Sequence, residues 1–151
     1  MTQISNDIEF RKAIDSLDFT KQRALAGLLV KNVLELCDDK RITHVVETAI
    51  NTDASDAELA AALNEARTTT LDCHTRCGAE GDWKAQAGYF VARAATAAVT
   101  PKSQSKGGGP AWQAAMSCRM ARTSMLIGEE NTGTSNESEQ QYQILSDYLK
   151  S

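Results

Sequence analysis

Proline is nearly absent from this chain, with two in 151 residues, and aromatic residues make up only 5% of it. Scarce proline removes the commonest helix breaker. Few aromatics and few turn residues exclude a β-sandwich or barrel, which would need strands of alternating β-branched and aromatic side chains. No apolar run reaches the roughly 18 residues that a membrane-spanning helix requires, so no membrane contact is expected. The opening Met1-Thr2-Gln3-Ile4-Ser5-Asn6-Asp7 has neither a basic segment nor an apolar one, and no secretory signal is expected. Phosphate-loop and dinucleotide fingerprints are missing, as is any H-E-x-x-H or C-x-x-C zinc pattern. No residue set specifies a reaction. The expectation is a protein that is not an enzyme and carries no metal and no cofactor.

What the chain has is alanine, 22 residues of it. Alanine has the highest intrinsic helix propensity. The fold class expected is all-α, a single domain over 1–151 packed as a compact bundle or orthogonal array of six or seven helices. The first helix spans about 5–17, with Ile8, Ile14 and Leu17 facing inward. The second runs from Thr20 or Lys21 to Cys37; Ala24, Leu25, Leu28, Leu29, Val33 and Leu36 form its apolar stripe, and Gly27 inside it marks close packing. A third covers 40–50 with Ile42, Val45, Val46 and Ala49 inward. Ser55-Asp56-Ala57-Glu58 matches a capping box, in which serine and glutamate satisfy each other's backbone amides at a helix start. The fourth helix begins there and runs to about Cys77, with Gly78 as its stop. The fifth, about 82–99, has Trp83, Ala87, Phe90, Ala94 and Ala97 on one stripe and is apolar nearly all round, which places it centrally. Residues 100–110 and 128–136 are expected to be flexible loops. Pro110 suits the first turn of a sixth helix, about 110–127. That helix carries two apolar stripes, Met116, Met120 and Ile127 on one and Ala114, Cys118, Ala121 and Met125 on the other. The last helix covers about 137–149.

Charge is unevenly spread. The whole chain is net −4 with a pI near 5.2, which opposes binding to a nucleic-acid duplex. Residues 1–82 hold 15 acids and 9 bases, residues 83–128 hold 6 bases and no acid, and residues 129–151 hold 5 acids and one base. Glu35, Asp38, Asp39 and Glu47 gather around the end of the second helix. Their plainer reading is solvated surface; their functional reading is an acidic face that meets a basic partner and speeds its association. Arg93, Arg119 and Arg122 lie on the two most apolar helices. Arginine in such places usually pairs with a carboxylate or covers apolar surface with its stem. The alternative is an anion site, for which Lys106 and the glycines 107–109 ahead of the sixth helix would add a flexible, positive helix start. Trp112 and Arg119 would then form a stacking platform. Cys73 and Cys77 share one helix face. Their plainer reading is two packed thiols, and the four cysteines together are expected to be reduced cytosolic thiols.

The stretch Leu25-Ala26-Gly27-Leu28-Leu29-Val30-Lys31-Asn32-Val33-Leu34-Glu35-Leu36-Cys37-Asp38-Asp39-Lys40-Arg41 resembles the opening of an all-helical bacterial immunity-protein family, the fifth such class of the polymorphic toxin systems. The short helix Ile42–Ile50, the capped start Ser55-Asp56-Ala57-Glu58, the small-residue segments Ala92–Ala98 and Ala111–Met125, and the closing Gln140–Leu149 are similar to that family's later elements. The resemblance covers roughly 20–150; the loop at 100–110 departs from it. It implies a non-enzymatic, cytoplasmic inhibitor that binds and neutralises a protein toxin or effector. The competing expectation is a helical module that binds an anionic small molecule such as a nucleotide at Arg93, Lys106, Arg119 and Arg122. Alanine-lined helices would also suit a homo-oligomer interface.

Overall fold

The distribution of alanine decides which helices sit at the centre. In the computed structural model, which describes residues 3–80, 82–105, 107–129 and 135–151 (side chains 76–80 excepted), the regular structure is α1 (Asp7–Asp15), α2 (Phe19–Lys31), α3 (Lys40–Ile50), α4 (Asp56–Glu80), α5 (Trp83–Val99), α6 (Gly109–Gly128) and α7 (Glu137–Lys150). Short 3₁₀ turns at Leu34–Leu36 and Lys102–Gln104 complete it, and no strand occurs among the described residues. The protein is all-α. The most extensive contact is α5 on α6, followed by α4 on α5. Ala92, Ala94 and Ala95 of α5 and Ala111, Ala114, Ala115, Cys118 and Ala121 of α6 are fully buried. Small side chains let the two backbones approach closely. Helix α2 packs across α5 and α6, α3 and α4 close one side, and α1 and α7 lie against α6.

Helix starts follow local chemistry. Asn6, Asp18, Asp39 and Asp82 cap α1, α2, α3 and α5 with side-chain oxygens on backbone amides. The capping box at the start of α4 is present: the Glu58 amide donates to Ser55 Oγ at 3.1 Å, and the Ser55 amide to Glu58 Oε1 at 2.9 Å. All four expected inward residues of α3 are buried. Gly27 lies where α2 meets α3, since a Cβ there would come within 2.7 Å of Ile50 Cγ1. Gly108 and Gly109 adopt φ of +89° and +80°, a left-handed backbone that glycine alone enters freely. Two consecutive residues of that kind explain the glycine run ahead of α6.

Several expectations need correction. Helix α2 ends at Lys31, not at Cys37. The Asn32 carbonyl accepts from Arg122 Nη2 at 3.2 Å, and the Asn32 amide side chain is held by Glu137 and Gln140. These contacts turn the chain into the 3₁₀ segment, which keeps Val33 buried and so imitates a continuing helix. In α1, Ile8 is 82% exposed, and Phe10 with Ile14 forms the buried edge. Helix α4 continues through Gly78 to Glu80, and the next start is set by Asp82. Met120 and Ile127 of α6 and Trp83 of α5 face outward. The small-residue stripe of α6 allows the closer approach to α5, so its larger stripe is turned away. The 100–110 stretch is not uniform loop either, because a 3₁₀ turn occupies 102–104 and α6 begins at Gly109.

Candidate functional site

The chain bends sharply between the 3₁₀ turn at 34–36 and α3, and this corner opens a cleft of about 660 Å³. Leu36 through Lys40 form one wall; Cys73 of α4 and Asp82, Lys84, Ala85 and Gly88 form the other. Two of the four acids singled out in the sequence, Asp38 and Asp39, line it. Asp39 is half-buried: it caps α3 and holds Arg41 at 2.7 Å, and Arg41 also reaches Asp72 at 3.0 Å. Hydrogen bonds donated to the Asp39 and Asp72 carboxylates hold the Arg41 guanidinium well above its ordinary pKa. Glu35 is exposed and lies 3.2 Å from Arg122. Asp38 and Glu47 are exposed, and neither pairs with a cation among the described residues.

Two thiols line the cleft, Cys37 on one wall and Cys73 on the other. Cys37 shares a hydrogen bond with Cys73, and this bond together with burial pushes the Cys37 thiol far up. A thiol so protonated is a poor nucleophile. Among the described residues no group of three or more His, Cys, Asp or Glu side chains could hold a metal ion. The side chain of Cys77, expected on one helix face with Cys73, lies outside the described residues. The His74 and Tyr89 rings meet at a tilt of 47° with centroids 5.4 Å apart.

The basic set is not brought together. Arg119 forms a two-point pair with Asp7 of α1, Nη2 to Oδ1 at 2.7 Å and Nη1 to Oδ2 at 3.0 Å. Its Nε donates to Gln141 at 2.8 Å, and the Gln141 amide donates in turn to the Ala115 carbonyl at 2.9 Å. Burial opposes the charge of Arg119, but Asp7 outweighs it and the guanidinium pKa rises. Arg122 pairs with Glu137, which is only 1% exposed, as well as with Glu35. Arg93 is exposed on α5, and Lys106 lies outside the described residues. The expected Trp112–Arg119 platform is not formed: Arg11 sits 4.8 Å over Trp112, while Arg119 lies 5.8 Å from the Phe10 ring centre. Carboxylate pairing is the ordinary expectation for such arginines, but the sequence does not point to Asp7 and Glu137 as the partners. They lie 112 and 15 residues from their partners, separations that carry no periodic signal.

The class so defined is an all-α protein with an open corner that carries Asp38, Asp39 and Asp82 beside Lys40 and Lys84, and with Arg119 and Arg122 neutralised internally. Set beside known proteins, the chain matches no family model, no curated protein and no solved structure. No helix among the described residues is long and apolar enough to cross a membrane.

Proposed function

We propose that the chain is a non-enzymatic binding protein whose acidic corner engages a basic protein partner, an inhibitor of the immunity kind its sequence resembles. The observation that carries this is a contrast in availability. Arg119 and Arg122 are committed to Asp7, Glu137 and Glu35 within the fold, whereas Asp38 at the cleft and Glu47 farther along α3 present carboxylates to solvent, and no cation among the described residues lies within salt-bridge distance of either. Open carboxylates steer a basic surface and raise its association rate. An anion seated at Arg93, Lys106, Arg119 and Arg122 would instead have to displace the buried Glu137 and the two-point Asp7 pair. A protein toxin or effector as partner and a cytoplasmic location belong to the same reading.

The test is co-purification from the native host, followed by the double reversal Asp38→Lys/Glu47→Lys. A single basic protein should accompany the wild-type chain, and its association rate should fall by about tenfold or more in the variant and at raised salt. A partner bound equally fast by both chains would refute the acidic-corner reading. Recovery of the bare chain alone would remove its premise.

A further inference from the structure

We propose that a second cavity, between α2, the first turns of α4 and the end of α5, is a binding site for a small amphipathic anion: one carboxylate or phosphate head on an apolar body. The cavity holds about 550 Å³. That lies within the roughly 300–1,000 Å³ common for small-molecule sites. Its apolar wall is built by Phe19, Leu59, Leu63 and Val99, the last two buried. Its charged residues are Arg23, Arg67 and Lys102 against a single carboxylate, Asp56.

Arg23 is the reason to expect an anion. It is only 6% exposed, yet no carboxylate among the described residues comes within salt-bridge distance of it. Arg41, Arg119 and Arg122 all have one. Two of its groups are used at the end of α3: Nε donates to the Ala49 carbonyl at 3.3 Å and Nη2 to the Asn51 carbonyl at 2.8 Å. Nη1 makes no such bond. Every fully buried side-chain nitrogen or oxygen among the described residues has a partner, so Nη1 must be reachable from outside, and the cavity is the space Arg23 lines. A buried cation compensated only by carbonyl dipoles gains strongly from an anion brought to it. Arg67, held to Gln104 at 2.9 Å, and exposed Lys102 supply a second and third positive group at the rim. The apolar wall alongside selects a ligand with a hydrophobic body over a bare ion. This site is separate from the acidic corner and does not depend on a protein partner.

The probes are decanoate, its neutral counterpart decanol, and inorganic phosphate, titrated against the full chain labelled at leucine and valine methyls. Decanoate should bind saturably in the millimolar range or tighter, with its largest shifts at Leu59, Leu63 and Val99. Arg23 also caps α3, so the variant is placed on the exposed rim. Arg67→Ala/Lys102→Ala should keep its helical circular dichroism and bind decanoate at least about tenfold more weakly. Arg93→Ala, outside the cavity, should bind as the wild type does. Decanol binding as tightly as decanoate would overturn the role of the cations. Phosphate binding as tightly would overturn the role of the apolar wall. Absence of saturable shifts at those methyls, or a double variant that binds unchanged, would overturn the site itself.

Discussion

Two glycines inside helices should respond in opposite senses to the same substitution. Replacing a mid-helix glycine by alanine stabilises an isolated helix by about 1 kcal/mol. At Gly88 of α5 nothing opposes that gain: the new Cβ would lie 3.6 Å from the Leu36 carbonyl oxygen and 3.9 Å from Cys37 Cα, ordinary contact distances. At Gly27 of α2 the new Cβ would meet Ile50 Cγ1 at 2.7 Å, Ala49 Cβ at 3.1 Å and the Ile50 backbone nitrogen at 3.2 Å. A rotamer change of Ile50 relieves only the first of these. The other two require α3 to move off α2, and α3 is also packed on α4 and α5. Overpacking of this kind costs about 1–3 kcal/mol. Gly27→Ala should therefore lose up to about 2 kcal/mol net, and Gly88→Ala should gain up to about 1 kcal/mol. Urea unfolding followed by circular dichroism measures both, and the midpoint shifts are interpretable if the slope is unchanged. In thermal unfolding each kcal/mol corresponds to about 2–4 °C for a chain of this size. A Gly27→Ala protein stabilised as much as Gly88→Ala would refute the close α2–α3 approach, and a Gly88→Ala protein that is clearly destabilised would refute the open space at that position.

The polar contacts that hold α1 and α7 to the core make two further predictions. Glu137→Ala removes the buried partner of Arg122 and one of the two acceptors of the Asn32 side-chain amide; because Arg122 keeps Glu35 and the Asn32 carbonyl, and Asn32 keeps Gln140, the loss should be about 2–3 kcal/mol, somewhat below the range for a buried pair with no other partner. The double variant Arg122→Met/Glu137→Leu should be less destabilised than Glu137→Ala, and equal or larger loss would show that an unpaired Arg122 is not what makes Glu137→Ala costly. Asp7 titrates below the ordinary carboxylate value, chiefly through its hydrogen bonds from Arg119, with a further one from Tyr142. A depressed folded-state pKa means that the unfolded chain binds the proton more readily, so this contribution is complete above about pH 4–5 and is lost as pH falls through the folded value. Asp7→Asn should be less stable than the wild type at neutral pH and converge with it in acid; a constant difference across that range would exclude the titration as its source.

Local chemistry made much of the fold legible. The capping box at Ser55 and Glu58 is read directly, because its two hydrogen bonds join residues three apart. The apolar stripe of α3 is equally plain, since Ile42, Val45, Val46 and Ala49 repeat at helical spacing and have one face to bury. Tertiary structure decided what periodicity leaves open. Helix α2 stops at Lys31 because Arg122, Glu137 and Gln140 capture Asn32 from elsewhere in the chain, while Val33 stays buried and prolongs the apparent stripe. The acids around the end of α2 were visible as residues, but only the structure separates exposed Asp38 and Glu47 from Asp39 and Glu35, which are tied to Arg41 and Arg122. Arg23 went unnoticed because nothing near it in sequence distinguishes it. Its burial and its cavity depend on α3, α4 and the turn after α5 converging on α2. What the sequence determined by itself is the all-α class and most helix starts, which arise from propensity and contacts within one turn. The pairing of each charge, and with it the choice between a structural arginine and an available one, depends on groups as many as 112 residues apart, and only the packed chain brings those together.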